Sequence, residues 1–142
     1  ITTDGKFLLF RQMKYAVGEE CLGTIGGYIE PGEIPLAAAQ RELIEETGYE
    51  ADQWVPLGNY AVDANRGAGN GHFFLALGAK KITSANADDL EEQELVQFSR
   101  EELENALFDH QFKILPWVNS VSLALLYLQR KGIRFENLEK DK

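Results

Sequence analysis

Three glutamates, Glu42, Glu45 and Glu46, stand three and four residues apart in the run Arg41-Glu42-Leu43-Ile44-Glu45-Glu46-Thr47-Gly48-Tyr49. On a helix, that spacing sets Glu42 beside both of the others. Two carboxylates about 5.5 Å apart repel by about 3 kcal/mol at an effective dielectric near 20. An open helix face in water screens most of this cost, and a Glu-rich surface is the plain alternative to any function. The chemical alternative is a site for a hard divalent cation such as Mg2+ or Mn2+. Such ions take carboxylate oxygens and keep waters and substrate phosphates. The neighbouring residues favour that second reading. Arg41 sits next to the cluster and can hold a carboxylate through two parallel hydrogen bonds. Glu33 lies just upstream, and Gly26 and Gly27 allow backbone to approach a ligand or a helix start closely.

The element that must present these carboxylates is legible. Pro35 suits the first turn of a helix, where its missing N–H has no partner to lose. Leu36 to Thr47 are good helix formers without a breaker. Gly48 can take the left-handed conformation that stops the helix. A Pro-Gly turn at Pro31-Gly32 leads in.

The same stretch resembles the Nudix box, G-x5-E-x7-R-E-U-x-E-E-x-G-U, with U a bulky apolar residue. Gly27, Glu33, Arg41, Glu42, Leu43, Glu45, Glu46 and Gly48 fall on its fixed positions. Tyr49 stands at the last U, where an aliphatic residue is usual; this departure bears on packing rather than chemistry. The resemblance implies a Nudix α/β/α sandwich in which the box forms a loop–helix–loop. It further implies a Mg2+- or Mn2+-dependent hydrolase acting on phosphoric anhydrides. In it Glu42, Glu45 and Glu46 supply metal ligands, and Gly27 adds a backbone carbonyl. Glu33 and Arg41 brace the loop and orient the carboxylates. A further carboxylate, general base or additional ligand, comes from a later acidic loop. Among Asp88, Asp89, Glu91, Glu92 and Glu94, the pair Glu91 and Glu92 is chosen, with Glu92 also a metal ligand, because both precede a strand and can point back to the site.

Substrate is read from outside the box. Phe10-Arg11-Gln12-Met13-Lys14-Tyr15 and the stretch Leu90 to Leu107 resemble parts of the ADP-ribose and ADP-sugar pyrophosphatase subgroup. Arg11 and Arg66 are candidates for phosphate or the terminal sugar, and Phe10, Tyr15 or Tyr28 for stacking on a base. His72 opens an apolar strand and is read as structural. The subgroup usually has Glu-Leu-Pro-Ala-Gly before the box, whereas Gly23-Thr24-Ile25-Gly26-Gly27 stands here. The expected reaction gives AMP and a sugar phosphate. The competing readings are a house-cleaning hydrolase of nucleoside triphosphates or dinucleotide polyphosphates, and a catalytically silent nucleotide-binding module. Silence is disfavoured because every box carboxylate is kept.

The 142 residues suit one domain, 1–142, and the start at Ile1, almost directly in a strand, suggests a longer parent chain. A formal net charge of −9 argues against wrapping nucleic acid. It also means that an anionic substrate is repelled unless bound cations reverse the local field. The single cysteine, Cys21, excludes an internal disulfide and points to a reducing, cytoplasmic compartment, with Cys21 a packed thiol. No apolar run is long enough to suggest a membrane span. The expected partner is therefore a small nucleotide, and a homodimer is compatible with this reading.

The rest reads as α+β with a mixed sheet between helices. Asp4-Gly5 signals a hairpin turn from Ile1–Thr3 into a strand at Lys6–Gln12. Strands are expected at 21–29, 54–62, 72–79 (buried on both faces) and 94–98, with a glycine-rich loop at 65–71 and an acidic loop at 86–92. Ser99 and Glu102 make a capping box for a helix to about Leu107. A last helix runs from Pro116 to Lys131, with Val118, Val121, Leu125 and Leu128 as its core stripe.

Overall fold

A computed structural model describes residues 1–85 and 93–135. In chain order the elements are β1 (Phe7–Met13), β2 (Glu20–Gly23), α1 (Pro35–Thr47), β3 (Tyr49–Glu50), β4 (Gln53–Ala61), β5 (Asn70–Leu77), β6 (Lys80–Lys81), β7 (Gln93–Phe98), α2 (Arg100–Phe108) and α3 (Leu115–Lys131). This is the expected α+β class. The strands are not joined in one sheet. β1 is the centre of an antiparallel sheet in the order β2-β1-β7, while β3 pairs with β6 and β4 with β5. A parallel bridge between Thr2 and Ala79 links the N-terminal segment to the end of the β4–β5 ribbon.

Apolar alternation explains the centre. Leu9 pairs with Val96 across to β7, and Phe10 with Gly23 across to β2. Leu9 and Leu22 join Leu103 of α2 and Val121 and Leu128 of α3 in one core, with Phe7 and Phe112 beside them. On α3 the buried stripe is Val121, Ala124 and Leu128. The expected Val118 and Leu125 pack at its margin. α2 starts at the predicted capping box: Glu102 N–H donates to Ser99 Oγ at 3.2 Å and Ser99 N–H to Glu102 Oε2 at 2.7 Å. Cys21 is buried, and that burial pushes its thiol up from the ordinary value, as fits a packed rather than reactive group. No helix among the described residues is long and apolar enough to cross a membrane.

Two expectations need correction. The strand over 21–29 stops at Gly23, because the following backbone spends its hydrogen bonds on side chains of α1. Gly26 N–H donates to Glu46 Oε2 at 3.1 Å, and the Tyr28 carbonyl accepts from Arg41 Nη2 at 3.1 Å. β5 begins at Asn70 and is not buried on both faces. Among the described residues β4 is its one ladder neighbour, and within the strand only Leu75 is fully buried. The turn expected at Asp4-Gly5 is present: Thr2 N–H donates to the Lys6 carbonyl at 2.8 Å and Gly5 N–H to the Thr2 carbonyl at 3.0 Å, with Gly5 left-handed at φ 80°, while Ile1–Thr3 bridge to Ala79 as an extended end.

Leu126 and Leu128 separate burial from helix propensity, since both lie on α3 but are 50% and 0% exposed. Leu128→Ala is expected to cost about 2–5 kcal/mol and Leu126→Ala less than about 1 kcal/mol, measured by denaturant unfolding. Equal losses would contradict the assigned packing of α3.

Candidate active site

α1 places its acidic face as the spacing requires, and one cation organises it. Arg41 Nε and Nη2 donate to the two oxygens of Glu33 at 3.0 and 3.1 Å. Its Nη1 donates to Glu42 Oε1 and Glu45 Oε2, both at 2.9 Å. The planar guanidinium therefore binds Glu33 as a fork and uses its outer edge on the helix carboxylates. Glu30 N–H adds a bond to Glu33 Oε2 at 3.0 Å. Arg41 and, after it, the Glu30 N–H hold the Glu33 carboxyl below its ordinary value. Hydrogen bonds to Glu33, then Glu45 and Glu42, hold Arg41 still more firmly protonated.

The loop completes the arrangement. Gly27 lies so close to Glu42 that a Cβ there would overlap its carboxylate. Gly26 is held by Glu46. Gly48 closes α1 in the left-handed conformation at φ 74°, its N–H on the Ile44 carbonyl. So Gly27, Glu33, Arg41, Glu42, Glu45 and Glu46 are brought together. The proposed ligands do not converge on one point: among the described residues no three acidic, His or Cys side chains are grouped as a metal requires. The reason is visible in the bonds, since Arg41 draws Glu42 and Glu45 while Glu46 turns to Gly26. The donor set still suits a hard cation. Glu42 Oε2 and Glu45 Oε1 are not engaged by the Arg41 bonds, and the Glu42 carboxylate lies against Gly27.

Beside this face opens a cleft of about 540 Å3. It lies between β5, the start of α3 and the loop Thr24–Ile29, with Glu42 on its wall. Trp54, Phe74 and Trp117 line it, and Tyr28, 94% exposed, stands at the loop. His72 lines it too, so its place is on the cleft wall rather than in the core. The other substrate candidates are elsewhere. Arg11 pairs with Glu20 at 3.3 Å, and the Arg66 backbone N–H caps on Asp63 in the β4–β5 turn; neither lines the cleft. Phe10 is 3% exposed and belongs to the interior, and Tyr15 is fully exposed away from the cleft. Glu94 sits on β7 across from Arg11. Asp88, Asp89, Glu91 and Glu92 lie outside the described residues. Sequence reasoning passed over Trp54 and Trp117. The available signal was Trp117 itself, at the i−4 position of the buried Val121 on the same helical stripe.

The Glu33–Arg41 fork carries a pH signature. Glu33 has a folded pKa below its ordinary 4.5, so its contribution is complete above that value and is lost as pH falls through the folded one. Glu33→Gln should therefore lower the unfolding temperature near neutral pH. The difference from the parent should shrink as pH is taken from about 7 to about 2.5. A difference independent of pH in thermal unfolding would overturn the fork as its source.

Known proteins resemble this chain in sequence and in fold. A methanol dehydrogenase activator of Bacillus methanolicus is 33% identical over 107 residues, covering 75% of this chain and 57% of that protein. An ADP-ribose pyrophosphatase of Bacillus subtilis (strain 168) is 29% identical over 107 residues with the same coverage. The chain thus spans 57% of the length of each of these relatives. The crystal structure of an ADP compounds hydrolase superposes with a TM-score of 0.78 at 24% identity, over 91% of this chain and 69% of that one, which speaks for the fold. The family model of the NUDIX domain matches residues 1–118, taking in the whole box, and on that match the chain belongs to the Nudix family.

Proposed function

We propose that the chain hydrolyses the anhydride bond of a nucleoside diphosphate joined to a second moiety. ADP-ribose or another ADP-sugar is the favoured substrate, AMP and a sugar phosphate the products, and Mg2+ or Mn2+ the cofactor. The observation that carries this is the Arg41 hub, which spends one cation on three carboxylates yet leaves Glu42 Oε2 and Glu45 Oε1 outside its bonds. The likeness to the Bacillus subtilis ADP-ribose pyrophosphatase supports the choice of ADP-ribose.

The roles follow from the contacts. Glu42, Glu45 and Glu46 are the residues that would hold the cation, with the Gly27 backbone beside Glu42. When bound, a divalent cation supplies neutralisation of the diphosphate charge, which a chain of net charge −9 otherwise repels. Arg41 and Glu33 do not touch substrate in this account; they fix the rotamers of Glu42 and Glu45. The Gly26 N–H keeps Glu46 oriented. The proton of the attacking water passes to a further carboxylate, for which Glu91 and Glu92 are retained from the sequence.

The test is a substrate panel in Mg2+ with products separated by chromatography, and with Glu46→Gln as control. AMP should appear from ADP-ribose or ADP-glucose and fall by about 100-fold or more in the variant, with the fold unchanged by circular dichroism. Pyrophosphate release from triphosphates alone would move the chain to the house-cleaning class. Nucleotide binding without turnover would make it a silent module. Near-normal turnover by Glu46→Gln would remove the metal-site assignment.

A further inference from the structure

The cleft beside α1 runs deeper than a diphosphate requires, and its floor is the core itself. Leu9 of β1, Leu43 of α1, Leu75 of β5, Leu103 of α2 and Val121 and Ala124 of α3 all line it, and none is more than 7% exposed. Strands and helices thus contribute one aliphatic surface. Among the described lining residues there is no Lys or Arg, and Glu42 is the one acidic side chain. The lining residues Thr24, Asn70 and Ser120 are all more exposed than the floor. Ser120 already donates its hydroxyl to the Trp117 carbonyl at 3.0 Å. A volume of about 540 Å3 is within the range of about 300–1,000 Å3 common to small-molecule sites.

A charged or hydrogen-bonding group carried to that floor loses water and finds no partner. Water itself fits poorly there, since an ordered buried water needs several polar partners. An aliphatic group meets neither cost and is stabilised by leaving water. Glu42 fixes what such a group is attached to. It stands on the cleft wall, and its carboxylate accepts from Arg41 at 2.9 Å and lies against Gly27. The aliphatic floor is therefore continuous with the carboxylates proposed to hold the cation. We infer that the site takes diphosphate esters of aliphatic alcohols, with the diphosphate at the carboxylates of α1 and the hydrocarbon in the cleft. This rests on the hydrolase reading and widens its substrate class beyond nucleotides. The chemistry is unchanged. Water adds across the bridging P–O bond, its oxygen bonding to one phosphorus as the bridging oxygen leaves with the other. The products are the alkyl monophosphate and inorganic phosphate. One water proton stays on inorganic phosphate and the other is released, with no oxidant or co-reactant.

The experiment compares methyl, dimethylallyl and geranyl diphosphate, which carry the same charge and a growing hydrocarbon, with ADP-ribose run beside them in Mg2+. Phosphate release gives kcat/KM. Calorimetry with the methylene-bridged analogues, in which CH2 replaces the bridging oxygen, gives binding without hydrolysis. Affinity and kcat/KM should each rise by about 10-fold or more from the methyl to the geranyl ester. Ala124→Leu raises the cleft floor and should remove most of that rise, with the fold checked by circular dichroism. If that variant does not fold, the ester series in the parent chain decides alone. Equal binding of the methyl and geranyl analogues would overturn the inference, and ADP-ribose hydrolysis beside it would leave the hydrolase reading intact. A folded Ala124→Leu chain that keeps the whole rise would also overturn it. Binding that grows with the hydrocarbon, without turnover of any ester or of ADP-ribose, would keep the aliphatic site and remove the hydrolase reading.

Discussion

A single guanidinium decides whether the acidic face of α1 exists as an ordered object. Glu42 and Glu45 stand on adjacent turns and repel each other, and left alone they would spread into solvent. Arg41 reverses that by donating one Nη1 edge to both, at 2.9 Å each. It can hold that pose because its opposite edge is locked into Glu33 and its Nη2 also reaches the Tyr28 carbonyl. The loop before the helix and the helix face are therefore one mechanical unit. Glycine is needed at position 27 for the same reason, since a side chain there would displace the Glu42 carboxylate.

The rest of the fold presents this unit. α1 packs against β3 and β5, and its buried residues Ala38, Leu43 and Thr47 fix which face of the helix turns outward. Thr47 also ties the C-terminus of the helix together, its hydroxyl on the Leu43 carbonyl and the Tyr49 N–H on its oxygen. The two sides of the site then have opposite character. One is a crowded anionic edge, and the other a mainly apolar cleft whose described lining holds no Lys or Arg.

What was legible in the sequence was local. Pro35, the helix formers and Gly48 bounded α1 correctly because capping and propensity act within a few residues. Ser99 and Glu102 did the same for α2. Glu33 and Arg41 are eight residues apart and were paired by the family resemblance rather than by helix spacing; their contact at 3.0 Å depends on the loop before α1 lying along the helix. What failed depended on distant partners. The end of β2 at Gly23 was hidden because it is set by Glu46, about twenty residues on, capturing the Gly26 N–H. The partial burial of β5 goes with a ladder partner on one side only among the described residues, which no alternation pattern reports. Arg11 looked like a phosphate ligand by its neighbours in sequence, yet Glu20 on the adjacent strand holds it. Trp54 and Trp117 are far apart in the chain, and only tertiary packing places them on one cleft.

The central claim is that the carboxylates gathered by Arg41 bind a divalent cation. Mn2+ titration followed by electron paramagnetic resonance measures this without substrate or turnover. The account predicts saturable Mn2+ binding that Mg2+ displaces and that Glu42→Gln weakens by about 10-fold or more, since removing one charged oxygen donor lowers affinity for a hard cation. Mn2+ binding that is absent, or identical in the parent chain and Glu42→Gln, would contradict it.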